Sequence, residues 1–244
     1  MKLIKLSATP STNAHLKALL QTGELVDETV IWAHDQTQGK GQQGASWRSL
    51  PGQSLTISLF RRFDRFPARY QFYLNLGISI GVYQALSHFG LPELAVKWPN
   101  DILSEGKKLC GILVENQLDG KQLGSAVIGI GLNVNEASFP ALPKATSMRL
   151  STGRQFDLDE VCDILVTSVL REIRRLDKHT LAEFQAQYQK LLFRQGVESL
   201  FEGPDQEPFR GLIEGIDEQG RLLVRHLIDG KVHAYLPKQI SLQY

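Results

Sequence analysis

The sequence predicts an α+β fold, in which a mixed or antiparallel sheet flanked by helices precedes a small C-terminal β-barrel. Three observations carry this. Strand-like and helical segments interleave without the steady βαβ alternation of a doubly wound sheet. Several strand candidates are apolar nearly throughout, as in a sheet that is covered on both faces or lines a closed pocket. After about Val197 the chain changes to short strands and turns.

In chain order, Met1 to Leu6 alternates as a short strand, and Val30 to Ala33 and Ser54 to Phe60 read as strands. Arg69 to Phe89 follows a helical period, with Leu74, Ile78, Val82 and Leu86 on one face. Leu94 to Trp98, Leu109 to Asn116 and Ser125 to Asn133 return to strand. Two more helices are predicted. Asp159 to Leu176 places Val161, Leu165, Val169, Ile173 and Leu176 on one face, and Thr180 to Leu192 carries Leu181, Phe184, Tyr188 and Leu191. Asp159 and Thr180 are the predicted N-caps. Beyond them, Phe209 to Ile216, Arg221 to Ile228 and Lys231 to Leu236 are strands joined by Asp217-Glu218-Gln219-Gly220 and by a hairpin turn at Asp229-Gly230. The division is therefore placed between residues 1–195 and 196–244, with Gly196 to Gly203 as the junction. A unit of that size is near the lower limit for independent stability, so it should pack on the larger one.

Hydrophobic residues make up 42% of the 244 and charged residues 22%, an ordinary globular balance. The formal net charge of +1 gives no global pull toward nucleic acid or membrane. No apolar run reaches the roughly 18 residues of a membrane span. The first residues lack a signal peptide's apolar core and cleavage site, so the expected compartment is the cytoplasm. Cys110 and Cys162 form no CxxC and read as buried thiols. His15, His34, His88, His179, His226 and His233 show no metal-ligand spacing, and no protein-bound metal is assigned.

Four stretches can carry chemistry. Gln36 to Gly44, with Gly39, Lys40, Gly41, Gln42, Gln43 and Gly44, allows close backbone approach and can aim N–H groups at an anion. It is neither a Walker loop nor a GxGxxG opening a helix, and alone it reads equally as a surface turn. In Val96 to Ile102, Pro99 stops a strand and leaves Asn100 and Asp101 at its end, beside Lys97. A carboxylate there can hold Mg²⁺ near phosphates or accept a proton, although in isolation an idle Pro-Asn-Asp turn is the simpler reading. Gly106 to Glu115 sets Lys108 just before a strand, with Gly111 three positions on, and Gly129 to Asn135 adds two more strand glycines. Three glycines in two strands imply close approach of a ligand or of another backbone.

In order, Ser11-Thr12-Asn13, GKGQQG at Gly39 to Gly44, KWPND at Lys97 to Asp101, KLCGILVE at Lys108 to Glu115 and GIGLNVN at Gly129 to Asn135 resemble the catalytic core of biotin–protein ligases. The region from Arg210 to Tyr244 resembles that family's small SH3-like C-terminal domain, so the resemblance covers nearly the whole chain. It implies a class II synthetase-like catalytic fold. The implied reaction is ATP-dependent adenylation of biotin to biotinyl-5'-AMP with pyrophosphate release, then transfer of biotin to a lysine of a biotin carboxyl carrier protein.

The resemblance also implies roles. Ser11, Thr12 and Gln36 would hydrogen-bond the ureido ring, with Asn13, Gly39, Lys40, Gly41, Gln42, Lys108 and Gly111 completing the biotin site. Lys40, Gln43, Trp47, Asn100, Lys108 and Asn133 would serve the nucleotide. Lys108 would lie between the biotin carboxylate and the α-phosphate, offsetting the repulsion of two anions. Asp101 would orient the acceptor amine or take its proton, and Lys40 and Lys97 complete the catalytic set. Mg²⁺ would accompany ATP.

The commoner loop of this family reads GRGRRG, and here Lys40, Gln42 and Gln43 stand at the arginine positions. Lysine keeps the charge but not the bidentate fork, so adenylation is expected to be normal and retention of the adenylate looser. The loop's polarity suggests ordering on ligand binding. Some members carry an N-terminal helix-turn-helix domain. With the first motif at Ser11, a form lacking it is expected, without nucleic-acid binding. Family members occur as monomers and as homodimers. Two other readings remain: a lipoate- or octanoate-handling ligase or transferase of the same fold, and a non-catalytic biotin-binding module.

Overall fold

Parallel strands need a crossover, and the chain begins with one. In a computed structural model describing residues 1–23, 25–176 and 181–244, with only the backbone for Gln43, β1 (Lys2–Thr9) pairs in parallel with β2 (Thr29–Gln36). Helix α1 (Thr12–Gln21) makes the crossover. Strands β3 (Gly39–Lys40) and β4 (Ser46–Trp47) then form a two-residue antiparallel ladder, so the glycine-rich loop is a small folded hairpin. β5 (Ser54–Pro67) runs well past the expected strand and leads into α2 (Gln71–His88). β6 (Ala95–Lys97), β7 (Asp101–Ser104), β8 (Lys107–Asp119) and β9 (Gln122–Asn133) complete a seven-stranded sheet in the order β1-β2-β5-β9-β8-β7-β6. Every pairing after the first is antiparallel, so the sheet is mixed, as expected.

Short α3 (Met148–Thr152) precedes the long helices α4 (Leu158–Arg175) and α5 (Leu181–Gln189). The predicted Asp159 cap is corrected by two residues, to Asp157. Asp157 has the extended backbone of an N-cap, and its carboxylate accepts from Glu160 N at 2.9 Å, while Asp159 lies inside the first turn. The predicted Thr180 cap, like His179, lies outside the described residues.

Alternation along the strands divides the core. Val30, Trp32, Leu55, Ile57 and Leu59 face α2, α4 and α5, whereas Ile31, Phe60 and Val127 face Leu16 of α1. Helix α2 is buried on almost every side: Tyr73, Leu76 and Ile80 are covered as well as the predicted stripe. Gly81 permits this, since a Cβ there would stand 2.7 Å from Val169 Cα of α4. Cys110 and Cys162 are both free and buried, as expected. Burial pushes the Cys162 thiol up to about 12 and the Cys110 thiol higher still, leaving both inert.

The C-terminal sheet is built from β10 (Ser199–Glu202), β11 (Pro208–Ile216), β12 (Leu222–His226), β13 (Val232–Tyr235) and β14 (Ser241–Gln243), in the order β13-β12-β11-β10-β14. All pairs are antiparallel, and the pairings among the described residues leave β13 and β14 as the sheet's edges instead of closing a barrel. The predicted junction from Gly196 to Gly203 contains β10, a strand too short for alternation to reveal. The sheet packs on the larger part as its size requires. Phe201, Ile213 and Leu222 belong to the same continuous core as α2 and α5. Gln185 and Gln189 both donate to Ile216 O, and Trp98 Nε1 donates to Gly220 O at 2.9 Å.

Candidate functional site

The first wall of the site is the start of α1. Ser11 caps the helix, its hydroxyl accepting from Ala14 N, which places Thr12 and Asn13 in a buried first turn over the sheet. Thr12 N and Oγ1 both donate to Gln36 Oε1, at 2.9 and 3.0 Å. From β5, Ser58 Oγ lies 2.6 Å from Thr12 Oγ1 and also contacts Asn13 Oδ1. Asn13 Nδ2 donates to Glu115 Oε2 at 2.7 Å, and Lys17 Nζ lies 2.6 Å from the other carboxylate oxygen. Burial alone would raise the Glu115 pKa. The hydrogen bonds from Lys17 and Asn13, aided by the charges of Lys17 and Lys40, outweigh it and hold the carboxyl below its ordinary range. Ser11, Thr12, Asn13 and Gln36 thus stand in one interlocked polar wall.

The floor is formed by the strand glycines. A Cβ at Gly131 would lie 2.4 Å from Trp47 Cε2, one at Gly111 3.3 Å from Trp47 Cζ3, and one at Gly129 2.6 Å from Asn13 Oδ1. The close approach expected at these glycines is made by side chains of the chain itself: the Trp47 indole and the Asn13 amide. The buried Trp47 Nε1 has no hydrogen-bond partner among the described residues.

The third side carries the charge. Lys97 and Asp101 face each other across β6 and β7, and Asp101 faces Gly111 of β8. Lys108 Nζ forms an ion pair with Asp101 Oδ1 at 2.7 Å. Burial lowers the Lys97 pKa, with nearby Lys108 acting in the same direction and Asp101 opposing it. Its ammonium rests 4.7 Å from the centre of the Tyr244 ring. Asn100 is held against β8 on both sides, Nδ2 donating to Ile112 O at 2.7 Å while its carbonyl accepts from Ile112 N.

These walls enclose a cavity of ≈ 600 Å³. It is lined by Ser11, Thr12, Asn13 and Gln36, by Lys40, Gly41, Gln42 and Trp47 of the hairpin loop, and by Lys97, Asn100, Asp101, Lys108 and Gly111. The C-terminal sheet contributes Phe201, Ile213 and Leu222 to the same cavity. Two of the sequence candidates fall outside the lining. Asn133 is buried and donates to Thr146 O at 2.9 Å, so it braces the segment before α3. Gly39 sits behind the wall, where a Cβ would lie 2.4 Å from Trp47 O and 2.6 Å from Gln36 Nε2. The side chain of Gln43 is outside the described residues. Sequence reasoning did not single out Ser58 or Glu115. A serine inside the apolar run of β5 was the available signal for the first, and the second ends the KLCGILVE stretch.

Residues 6–133 match the model of the biotin/lipoate A/B protein ligase family. The chain is 33% identical over 238 residues to the bifunctional ligase/repressor BirA of Escherichia coli K12, covering 96% of this chain and 71% of that protein. It is 30% identical over 227 residues to the biotin–[acetyl-CoA-carboxylase] ligase of Paracoccus denitrificans, covering 90% and 92% of the two chains. Among solved structures, biotin protein ligase from Aquifex aeolicus in complex with biotin and ATP superposes with a TM-score of 0.81 at 26% identity, covering 99% of this chain and 98% of that one. With motif order, fold and cavity in agreement, the chain belongs to the biotin/lipoate A/B protein ligase family.

Proposed function

We propose that this chain is a biotin–protein ligase that adenylates biotin with ATP and passes the biotinyl group to a lysine of an acceptor protein. The observation that carries the reading is a single cavity in which the interlocked Ser11–Thr12–Gln36 wall opens onto the Lys108–Asp101 pair. The two ends of biotin need those two environments. The ureido ring needs several donors and acceptors, because each buried polar atom left unpaired costs about 1–3 kcal/mol. The carboxylate needs a cation, because its nucleophilic oxygen must approach an anionic phosphate.

In the first step a biotin carboxylate oxygen bonds to the α-phosphorus of ATP and pyrophosphate leaves. Lys108, which lines the cavity, holds the carboxylate and α-phosphate together and balances charge in the transition state. In the second step an acceptor lysine amine attacks the acyl carbon and AMP leaves. Asp101, already paired with Lys108, orients the amine or takes its proton. Lys97 and Asn100 support the nucleotide side together with Trp47, whose unpaired indole N–H offers a donor to a bound substrate. Asn133 is retained only as an indirect brace of that side.

Asp101 is the one carboxylate in the cavity lining among the described residues, and it is engaged by Lys108. The chain therefore presents no carboxylate cage for a resident metal there, and Mg²⁺ enters as part of the MgATP substrate. Lys40 and Gln42, at positions the wider family fills with arginine, hold the adenylate with less charge.

The acceptor we assign is the biotin carboxyl carrier domain of a biotin-dependent carboxylase, met in the cytoplasm by a monomer or homodimer. Among the described residues, no helix is long and apolar enough to cross a membrane. We also place a division at residues 195/196, with the C-terminal unit closing the apolar side of the cavity. The test is incubation of the chain with biotin, MgATP and a purified carrier domain, in parallel with lipoate and octanoate. Intact mass should rise by one biotinyl group with biotin alone. Modification by lipoate but not biotin would overturn the substrate assignment.

A further inference from the structure

The β12–β13 hairpin carries a side-chain cluster that the ligation chemistry does not use. His226, Asp229 and His233 each place one ligand atom within 4.8 Å of the others, and none lines the substrate cavity. Their positions follow from the hairpin register. Val224 faces His233, and His226 N donates to Lys231 O, so the two histidines lie diagonally across the ladder on one face. Gly230, with φ +69°, closes the turn and returns its N–H to His226 O. Asp229 Oδ1 accepts from Lys231 N at 3.0 Å, and its Oδ2 lies 3.7 Å from His233 Nε2. Separations of three and four residues across the turn did not announce a ligand set in the sequence. The hairpin creates it.

The cluster is more ordered than a chance surface grouping. The His226 ring stacks on Phe209, with centroids 3.9 Å apart and planes at 16°. Its Nε2 is 2.5 Å from Tyr235 Oη, so Nδ1 is the nitrogen left for a ligand. A ring fixed at its other nitrogen by a hydrogen-bond partner is how proteins orient metal-binding histidines.

We propose that His226, Asp229 and His233 bind a divalent transition-metal ion of the imidazole-preferring class, such as Zn²⁺, with water completing the coordination. Two nitrogens and one carboxylate oxygen are a donor set such ions accept. Bonds of about 2.0–2.1 Å separate tetrahedral ligand atoms by about 3.3 Å. Exposed Asp229 and His233 have the side-chain freedom to close the remaining distance onto the fixed His226. The ion would join the turn to both strands at the outer edge of the C-terminal sheet.

The test is calorimetric titration of ZnCl₂ into the untagged full chain, compared with His233→Ala and Asp229→Asn. His233 is exposed, so its replacement should leave the metal-free melting temperature unchanged. The wild-type chain should bind one more ion than His233→Ala, and Asp229→Asn should bind that ion at least tenfold more weakly. Equal stoichiometry and affinity in wild type and His233→Ala, or no saturable binding by the wild type, would overturn the proposal.

Discussion

Lys108 and Asp101 form an ion pair at 2.7 Å across β8 and β7, with Asp101 the more buried of the two. In the proposed mechanism the pairing ties the two half-reactions together, because the cation assigned to adenylation is held by the carboxylate assigned to transfer. Asp101→Asn removes the carboxylate but keeps its shape, so adenylate formation should persist while transfer to the carrier slows by about 10²-fold, within the usual range for general acid–base contributions. Single-turnover measurement with preformed biotinyl-adenylate separates the steps. Equal transfer rates would remove Asp101 from the second one.

Gly131 is required by Trp47. A methyl group at Gly131 would stand 2.4 Å from Cε2 of the indole, and the ring would have to move. Gly131→Ala should therefore lower stability by about 1–3 kcal/mol, the usual cost of overpacking, and weaken ATP binding. Urea unfolding checks the first part. Combining it with Trp47→Leu should recover stability without recovering ATP affinity, because only the clash is relieved.

Helix α1 shows why part of the site was hidden in the sequence. Its apolar stripe is only Leu16, Leu19 and Leu20 at the C-terminal end, while its first turn buries the polar Thr12 and Asn13, so the long periodicity that revealed α4 is absent. Helix α2 departs in the opposite sense: a stripe was legible, but burial all round came from its place between the sheet and α4. The four-residue β7 follows Pro99 so closely that Asp101 reads as a turn, although it opens a strand. Most motif residues were legible and do meet in one cavity. The exceptions, Gly39 and Asn133, support it from behind through contacts that tertiary structure alone specifies.

Glu115 should give the acid limb of stability a distinct component. Its folded-state pKa is held below the ordinary 4.5, so the unfolded chain binds the proton more readily. The stabilisation is then fully present above about pH 4.5 and is lost as pH falls through the lower folded value. Glu115→Gln should be less stable near neutrality and show a shallower decline across that window. Parallel acid limbs in urea unfolding from pH 3 to 7 would show that the Lys17 and Asn13 contacts do not stabilise the charged form.

Gln42 lines the cavity at a position that arginine occupies in the commoner loop of the family. Gln42→Arg adds a cation to the cavity assigned to the adenylate and should slow its escape by about 5- to 30-fold, the equivalent of about 1–2 kcal/mol. Filter-retained biotinyl-adenylate, followed over time in both chains, reads this directly. Identical leakage would mean that retention does not depend on charge at this position.

The central claim, that Lys108 brings biotin and ATP together, is tested most directly by biotin-dependent exchange of labelled pyrophosphate into ATP. The wild-type chain should exchange with biotin and not with lipoate or octanoate. Lys108→Ala should reduce the rate by about 10²- to 10³-fold, the cost of losing one charge-stabilising donor. Exchange at the parental rate in Lys108→Ala would contradict the assignment, and no exchange in a wild-type chain that binds biotin would contradict the proposed adenylation.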